Sequence, residues 1–508
     1  MTSHDNDQPA RELDHAIRRG TRAVVAGQLV SQLISLLVLA VLYRLVTPDQ
    51  FGLLGMAVPL LLLARIIATF GLSVATVQRQ DLTDGQLAVV FWFGVAISVV
   101  LAFLAAACGP VLAWLYEVPP LTPLCAALSG TLIVASLGAQ HQALLERKLR
   151  IGRLTAARVA AQAIGGAAGI GAAAAGWGVW SLVVQQYIEL LVLTAAAWRL
   201  EPWRPGFVYR GERAGELLRF GGFYSLSSLM FFAGQNADKF LLALCLGSTR
   251  QGQAALGMYS QAFNLMMKPV YLVSSPVTGI MLPALSRVAR DGEQFERQVV
   301  KFYRMVGVAL FPAAVGVALV AQDIMAVLGG GAWRQAGTML AALAPTILVQ
   351  GFVNIAGSVF ASAGRAGRLL AGATASAVLL AAGSLIGFWV GGRFAAAPWG
   401  PTMGVAFGYS IATVVVLFVP YMLFCFATVR VSARAVFRPL CGPAVAAALM
   451  GLLVAVLSRA PVMDAIPAVA RLMVLAAVGA LVYAWLARRQ LGWLGEQLAV
   501  FRGERSGE

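Results

Sequence analysis

Arg65 and Lys268 are the residues through which this chain could do chemistry, because each stands near the centre of a long apolar run. A cation at the middle of a bilayer-spanning helix costs about 2.5–3.5 kcal/mol on insertion scales, so it must face a water-filled interior or a counter-charge. Guanidinium and ammonium groups held at such a depth bind diphosphates and acidic sugars through charge-assisted hydrogen bonds. Asn236, Asp238 and Lys239 fall in the outer half of the seventh run, and Gln28 and Gln32 lie one turn apart on the first, sharing a face. These seven residues form the candidate cavity set. Two readings stay open for the central cations: an anion site, or internal ion pairs with Asp238 or Glu189. Asp238 is open between a partner for a cation and a proton or sodium site. Lys239 lies far enough out to snorkel to the interface, and Arg158 and Arg471, nearer the ends of their runs, are expected to do so.

Signals of covalent catalysis are missing. The sequence has no GxxxxGK[ST], HExxH or GxSxG, and its five cysteines include no CxxC pair. No enzyme activity, metal or cofactor is expected. The cysteines read as small packing residues. His141, at the end of the fourth run, reads as an interfacial residue, and Gly165-x3-Gly169 as a close helix contact.

The elements that must position the candidate set follow from composition. Hydrophobic residues make up 59 % of the 508 and charged residues 12 %, against about 25 % charged in a soluble domain. Most of the chain therefore avoids water. About 20 mostly apolar residues span a bilayer, and fourteen such runs can be counted. The first six lie at about 23–43, 52–76, 87–112, 121–140, 155–175 and 178–198. The next six lie at about 220–246, 256–282, 299–320, 337–361, 369–390 and 403–427, and the last two at about 439–457 and 466–486. The fold class expected is all-α and polytopic. The fifth and sixth runs meet at Gly176-Trp177-Gly178 and must form a tight hairpin. Pro59, Pro269, Pro276, Pro312 and Pro345 interrupt runs and permit bends.

The net charge of +16 is a topology signal rather than a nucleic-acid footprint, because the cations sit in short loops. With the N-terminus placed inside, roughly 28 loop and tail cations fall inside and 5 outside. That alternation supports an even helix count with both termini cytoplasmic. The first twenty residues hold four acids and no apolar core, so no cleavable signal is expected. No outside loop is long enough to hold an acceptor for a polymerase or ligase.

Leu54-Gly55-Met56 opens the second run and Leu256-Gly257-Met258 the eighth, with Arg65 ten residues after Gly55 and Lys268 eleven after Gly257. Either this is coincidence in a Leu- and Gly-rich chain or it marks two parallel six-helix halves, with a substrate path at their interface. The expected division is a tail at 1–20, a first lobe at 21–200, a cytoplasmic linker at 201–219 and a second lobe at 220–428. Two added helices at 429–490 and a cytoplasmic tail at 491–508 complete it.

Several stretches carry a family resemblance. Tyr43-Arg44-Leu45-Val46-Thr47-Pro48-Asp49-Gln50-Phe51-Gly52 and Gln78-Arg79-Gln80-Asp81-Leu82-Thr83-Asp84-Gly85-Gln86 resemble polysaccharide-exporter flippases of the MOP superfamily. Asn236-Ala237-Asp238-Lys239, Leu256-Gly257-Met258-Tyr259-Ser260, Leu282-Pro283-Ala284-Leu285-Ser286-Arg287, Gly331-Ala332-Trp333 and Ala363-Gly364-Arg365 are similar to the second half of that family. The resemblance spans about residues 20–370. It implies two six-helix lobes, a central cavity and a bacterial inner-membrane location. It also implies transport of an undecaprenyl-diphosphate-linked exopolysaccharide, capsule or O-antigen unit, with membrane lipid around the protein. Polymerase and glycosyltransferases of the same pathway would be partners, and nucleic acid would not. The alternatives are a lipid II flippase, a cation-coupled multidrug exporter of the same superfamily, or a membrane polymerase or ligase. The exporter reading is weakened because the first run has no acidic residue.

Overall fold

The computed structural model describes residues 8–69, 83–148, 150–207, 232 and 234–502, with side chains from residue 26 onward except at 69, 366, 369, 370, 464 and 498–502. The Gln78–Gln86 motif up to Leu82, the linker from residue 208 and the seventh run up to residue 231 lie outside the described residues, as do the first seven and last six residues. Every regular element among the described residues is helical. The chain divides into two compact units, Met1–Phe232 and Ala233–Glu508.

The first unit holds α1 (Gln8–Leu45), α2 (Pro48–Thr69), α3 (Asp84–Leu115), α4 (Leu121–Arg147), α5 (Ile151–Ala174) and α6 (Val179–Leu200). Thr83 starts α3 with a capping box. Its hydroxyl accepts from Gln86 N–H at 3.1 Å, and its own N–H donates to Gln86 Oε1 at 3.3 Å. Helix α4 packs on α2, α3 and α6, and α5 lies against α1 and α6. Small residues permit the contact of α5 with α6. A side chain at Gly165 would strike the Glu189 backbone nitrogen at 2.9 Å, and one at Gly169 would meet Gln185 Cβ at 2.8 Å. The α5–α6 turn uses Gly176 at φ 82° and Gly178 at φ 52°, which explains the Gly-Trp-Gly sequence there.

The second unit holds α7 (234–246), α8 (Arg250–Arg287), α9 (Gly292–Gly329), α10 (Arg334–Leu343), α11 (Thr346–Ser362) and α12 (Ala366–Phe394). It continues with α13 (Trp399–Val429), α14 (Ala433–Ser458), α15 (Ala468–Leu486) and α16 (Arg488–Arg502). Pro345 separates α10 from α11. The segments Gly331–Leu343 and Thr346–Ser362 meet there at a bend of 57°. Helix α9 is the hub. It packs on α8, α10 and α11 and carries the last two long apolar helices, α14 and α15, on another side. Tyr483 of α15 donates its hydroxyl proton to the Val308 carbonyl of α9 at 2.7 Å.

Large apolar side chains remain exposed on many helices, among them Phe103 at 71 %, Trp389 at 69 % and Leu481 at 72 %. Water would not tolerate so large an apolar surface, whereas hydrocarbon does. Eleven helices are long and apolar enough to cross a membrane among the described residues, or twelve with the bent pair. Two of the fourteen runs are not among these. The fifth run is a 24-residue helix, but its Ala and Gly content leaves it outside the eleven. The seventh is described only from residue 234, apart from residue 232.

Candidate functional site

In the first unit the geometry centres on Arg65. It stands four residues before the end of α2, which stops at Thr69 among the described residues, and its side chain is exposed. Two cavities open onto it. One, of about 270 Å³, is lined by Arg65, Thr131, Gln186 and Glu189 among others. The other, of about 190 Å³, is lined by Arg65, Ser98, Ser136, Gln140, Glu146 and Arg158 among others. Arg65, Leu132 and Ala135 belong to both, so Arg65 stands on their common wall. Glu189 is near enough to interact electrostatically with Arg65. An arginine so placed can present its fork of donors to an anion or turn to a carboxylate. Gln28 and Gln32 line neither cavity. On their helix Ser31 donates to Gln162 Oε1 of α5 at 2.6 Å, and Gln32 Oε1 is buried without a hydrogen-bond donor among the described residues.

In the second unit Asn236, Asp238 and Lys239 form a joined cluster with α8. Asp238 is 1 % exposed. One carboxylate oxygen accepts the Lys239 backbone N–H at 2.8 Å, and the other accepts the Tyr259 hydroxyl. Lys239 Nζ donates to Asn236 Oδ1 at 2.9 Å and lies 4.2 Å from the centre of the Phe263 ring. That cation–π contact supplies what an ammonium needs away from water. The cluster continues through ring contact of Phe263 with Tyr409 at 5.5 Å, and Tyr409 accepts a hydrogen bond from Gln350 Nε2 at 2.8 Å. Tyr409 stands just before a π-helical segment, Ala412–Leu417, in α13; such segments relax the helical ladder and recur at functional positions. Lys268 is half-buried at the middle of α8, beside Pro269.

Three side chains have partners that the sequence alone does not show. Arg471 of α15 reaches across to another helix. It pairs with Asp323 of α9, Nε to Oδ1 at 2.8 Å, with a second contact from Nη2. Arg158 reaches back toward the end of α4. Its Nη2 bonds Glu146 Oε1 at 2.9 Å and Gln142 Oε1 at 3.4 Å, and it lines the smaller cavity. His141 is fully buried within the protein. Its Nε2 donates to the Trp203 carbonyl at 3.1 Å, and its ring stacks on Trp198 at 4.3 Å. Together with the Trp92 indole donating to the Gly206 carbonyl at 3.2 Å and Lys148 bonding buried Glu201 at 2.6 Å, it straps residues 201–206 across the ends of α3, α4 and α6.

Glu146, Tyr259, Gln350, Asp323 and Tyr409 are the polar residues that sequence reasoning missed. Asp323 carried a readable signal: it is an acid three residues past an apolar run whose helix continues to Gly329. The tyrosines carried none, because a tyrosine in an apolar run packs as readily as it bonds.

A family model described as polysaccharide biosynthesis protein matches residues 41–338. The teichuronic acid biosynthesis protein TuaB of Bacillus subtilis (strain 168) is 25 % identical over 429 residues, covering 83 % of this chain and 85 % of that protein. The lipopolysaccharide biosynthesis protein WzxC of Escherichia coli (strain K12) is 24 % identical over 338 residues, covering 65 % and 67 %. Among solved structures, the inward closed conformation of lipid II flippase MurJ aligns with a TM-score of 0.72 at 13 % identity. It covers 91 % of this chain and 97 % of that one, a likeness of fold.

Proposed function

Because this chain belongs to the polysaccharide biosynthesis protein family, we propose that it is a flippase passing a lipid-linked oligosaccharide across the bacterial inner membrane. The cargo is an undecaprenyl-diphosphate-linked exopolysaccharide, capsule or O-antigen unit, and it moves by alternating access without a covalent step. The observation that carries this reading is Arg65, an exposed guanidinium in an apolar helix with a cavity on either side. A diphosphate or acidic sugar is the natural ligand of such a group. Lys268 supplies a second cation at mid-helix beside a proline that permits a bend. Gln28 and Gln32 are the further polar residues of the first unit in this reading, Asn236 and Lys239 those of the second, where Asp238 is the counter-charge beside Lys239. Glycosyltransferases that build the unit and a polymerase that consumes it are the partners this chemistry calls for.

Loss of the protein should leave completed lipid-linked units in the inner leaflet. In spheroplasts of a deletion strain, an impermeant glycan-oxidising reagent should leave the lipid-linked units unmodified, while in the parent it should modify them. Equal modification in the two strains would refute the assignment.

Both termini and the 201–219 segment are cytoplasmic in this proposal, on the strength of the alternating cations. A cysteine introduced at Arg210 should resist an impermeant thiol reagent added to intact cells and react once the membrane is opened. Ready labelling from outside would reverse the topology.

A further inference from the structure

The smaller cavity of the first unit has a cation at each end. One face of α4 lines it through Leu132, Ser136, Ala139, Gln142 and Glu146, the three- and four-residue spacing of a single helical stripe. Arg65 meets this stripe at the level of Leu132 and Ala135, the wall it shares with the second cavity. Arg158 meets it at Glu146, one residue from the end of α4. Eleven residues separate Ala135 from Glu146, about 16 Å at 1.5 Å per residue. The two guanidiniums therefore mark two depths of one slot, with hydroxyl and amide groups between them.

The Arg158–Glu146 pair has little to do for stability. Its side chains are 48 % and 39 % exposed, and pairs so open contribute little. Helices α4, α5 and α6 are already held at this level by the buried contacts of Leu145, Leu154 and Ala197. Both hydrogen bonds of Arg158 use Nη2 alone. Its Nε and Nη1 donate to nothing among the described residues, and the side chain lines the cavity.

We propose that Arg158 is a phosphate-binding subsite at the end of this slot away from Arg65, and that Glu146 is its built-in competitor. A phosphate or diphosphate reaching the slot takes the free donors of Arg158 and displaces the Glu146 carboxylate. Arg65 lies next along the same polar stripe. The inference rests on the flippase reading for the source of the phosphate, a lipid headgroup, although a free diphosphate carries the same chemistry.

Opposite signs in two variants test it. The purified full-length protein in detergent is titrated with polyprenyl diphosphate and, separately, with inorganic diphosphate, with polyprenol as the uncharged control. Arg158→Gln should weaken diphosphate binding about tenfold or more, the loss of a charge-assisted contact. Glu146→Gln should tighten it, because the competing carboxylate is gone, and Arg158→Lys should fall between Arg158→Gln and the parent. A response limited to the polyprenyl compound supports a lipid headgroup as the ligand, and a response to both supports diphosphate recognition as such. If the parent binds polyprenyl diphosphate while neither Arg158→Gln nor Glu146→Gln changes its affinity, or both weaken it equally, the subsite is overturned and the flippase reading stands. If the parent binds neither diphosphate, both fall together.

Discussion

Arg65→Ala and Lys268→Ala are each expected to abolish export while leaving normal amounts of protein in the membrane. Each removes a charge-assisted contact worth about 1.5–3 kcal/mol, a loss of about 10- to 150-fold per cation. Stability should not follow activity, because deleting a cation from an apolar helix also removes its insertion cost. Glu189 supplies the control. It lines one of the cavities that Arg65 opens onto, so Arg65→Ala could leave that carboxylate without its counter-charge. If Arg65→Ala protein is lost from the membrane and Arg65→Ala/Glu189→Gln restores both its level and its export, Arg65 is an ion-pair partner and not a ligand. Export assays beside membrane immunoblots separate the two. Normal export by both alanine variants would remove both cations from the path.

Asp238→Asn is expected to lower thermal stability and leave the dependence of transport on any ion gradient intact. Both oxygens of Asp238 are engaged, one by the Lys239 backbone and one by the Tyr259 hydroxyl. That is how a carboxylate is held as a fixed counter-charge. The amide keeps the shape and loses the charge, at about 1.5–3 kcal/mol for the hydrogen bond to a charged group. Tyr259→Phe should cost a similar amount, and the double variant less than the sum, because the two residues share one bond. The measurement is vesicle transport with and without proton and sodium gradients, beside thermal unfolding of the same proteins. A stable Asp238→Asn protein whose transport no longer responds to one gradient would make Asp238 the coupling site instead.

The sequence makes the spans legible because one physical requirement, about 20 apolar residues across hydrocarbon, writes itself into the chain whatever the packing. The same holds for the Gly176–Gly178 hairpin, where backbone geometry dictates residue type. Partners were not legible. Arg471 and Asp323 stand 148 positions apart, and only the docking of α15 on α9 joins them. Arg158 was read by its distance from a helix end, which is blind to Glu146 on the preceding helix. Gln28 and Gln32 were read from a shared face of α1, but the polar contact made there is Ser31 with Gln162. Tyr259 sits 21 positions after Asp238, across the turn between α7 and α8, and only the folded hairpin shows that the two meet. Depth in the membrane is a property of one segment; pairing is a property of two.

The central claim is that this protein moves a diphosphate-linked glycan lipid between leaflets. The direct test reconstitutes the purified chain in vesicles with a defined undecaprenyl-diphosphate oligosaccharide in both leaflets and adds an impermeant glycan-modifying enzyme outside. With the protein present, modification should run past the outer-leaflet half to near completion, and with Arg65→Ala/Lys268→Ala protein it should stop at about the half found in protein-free vesicles. A plateau at half with the unmutated protein would contradict the account.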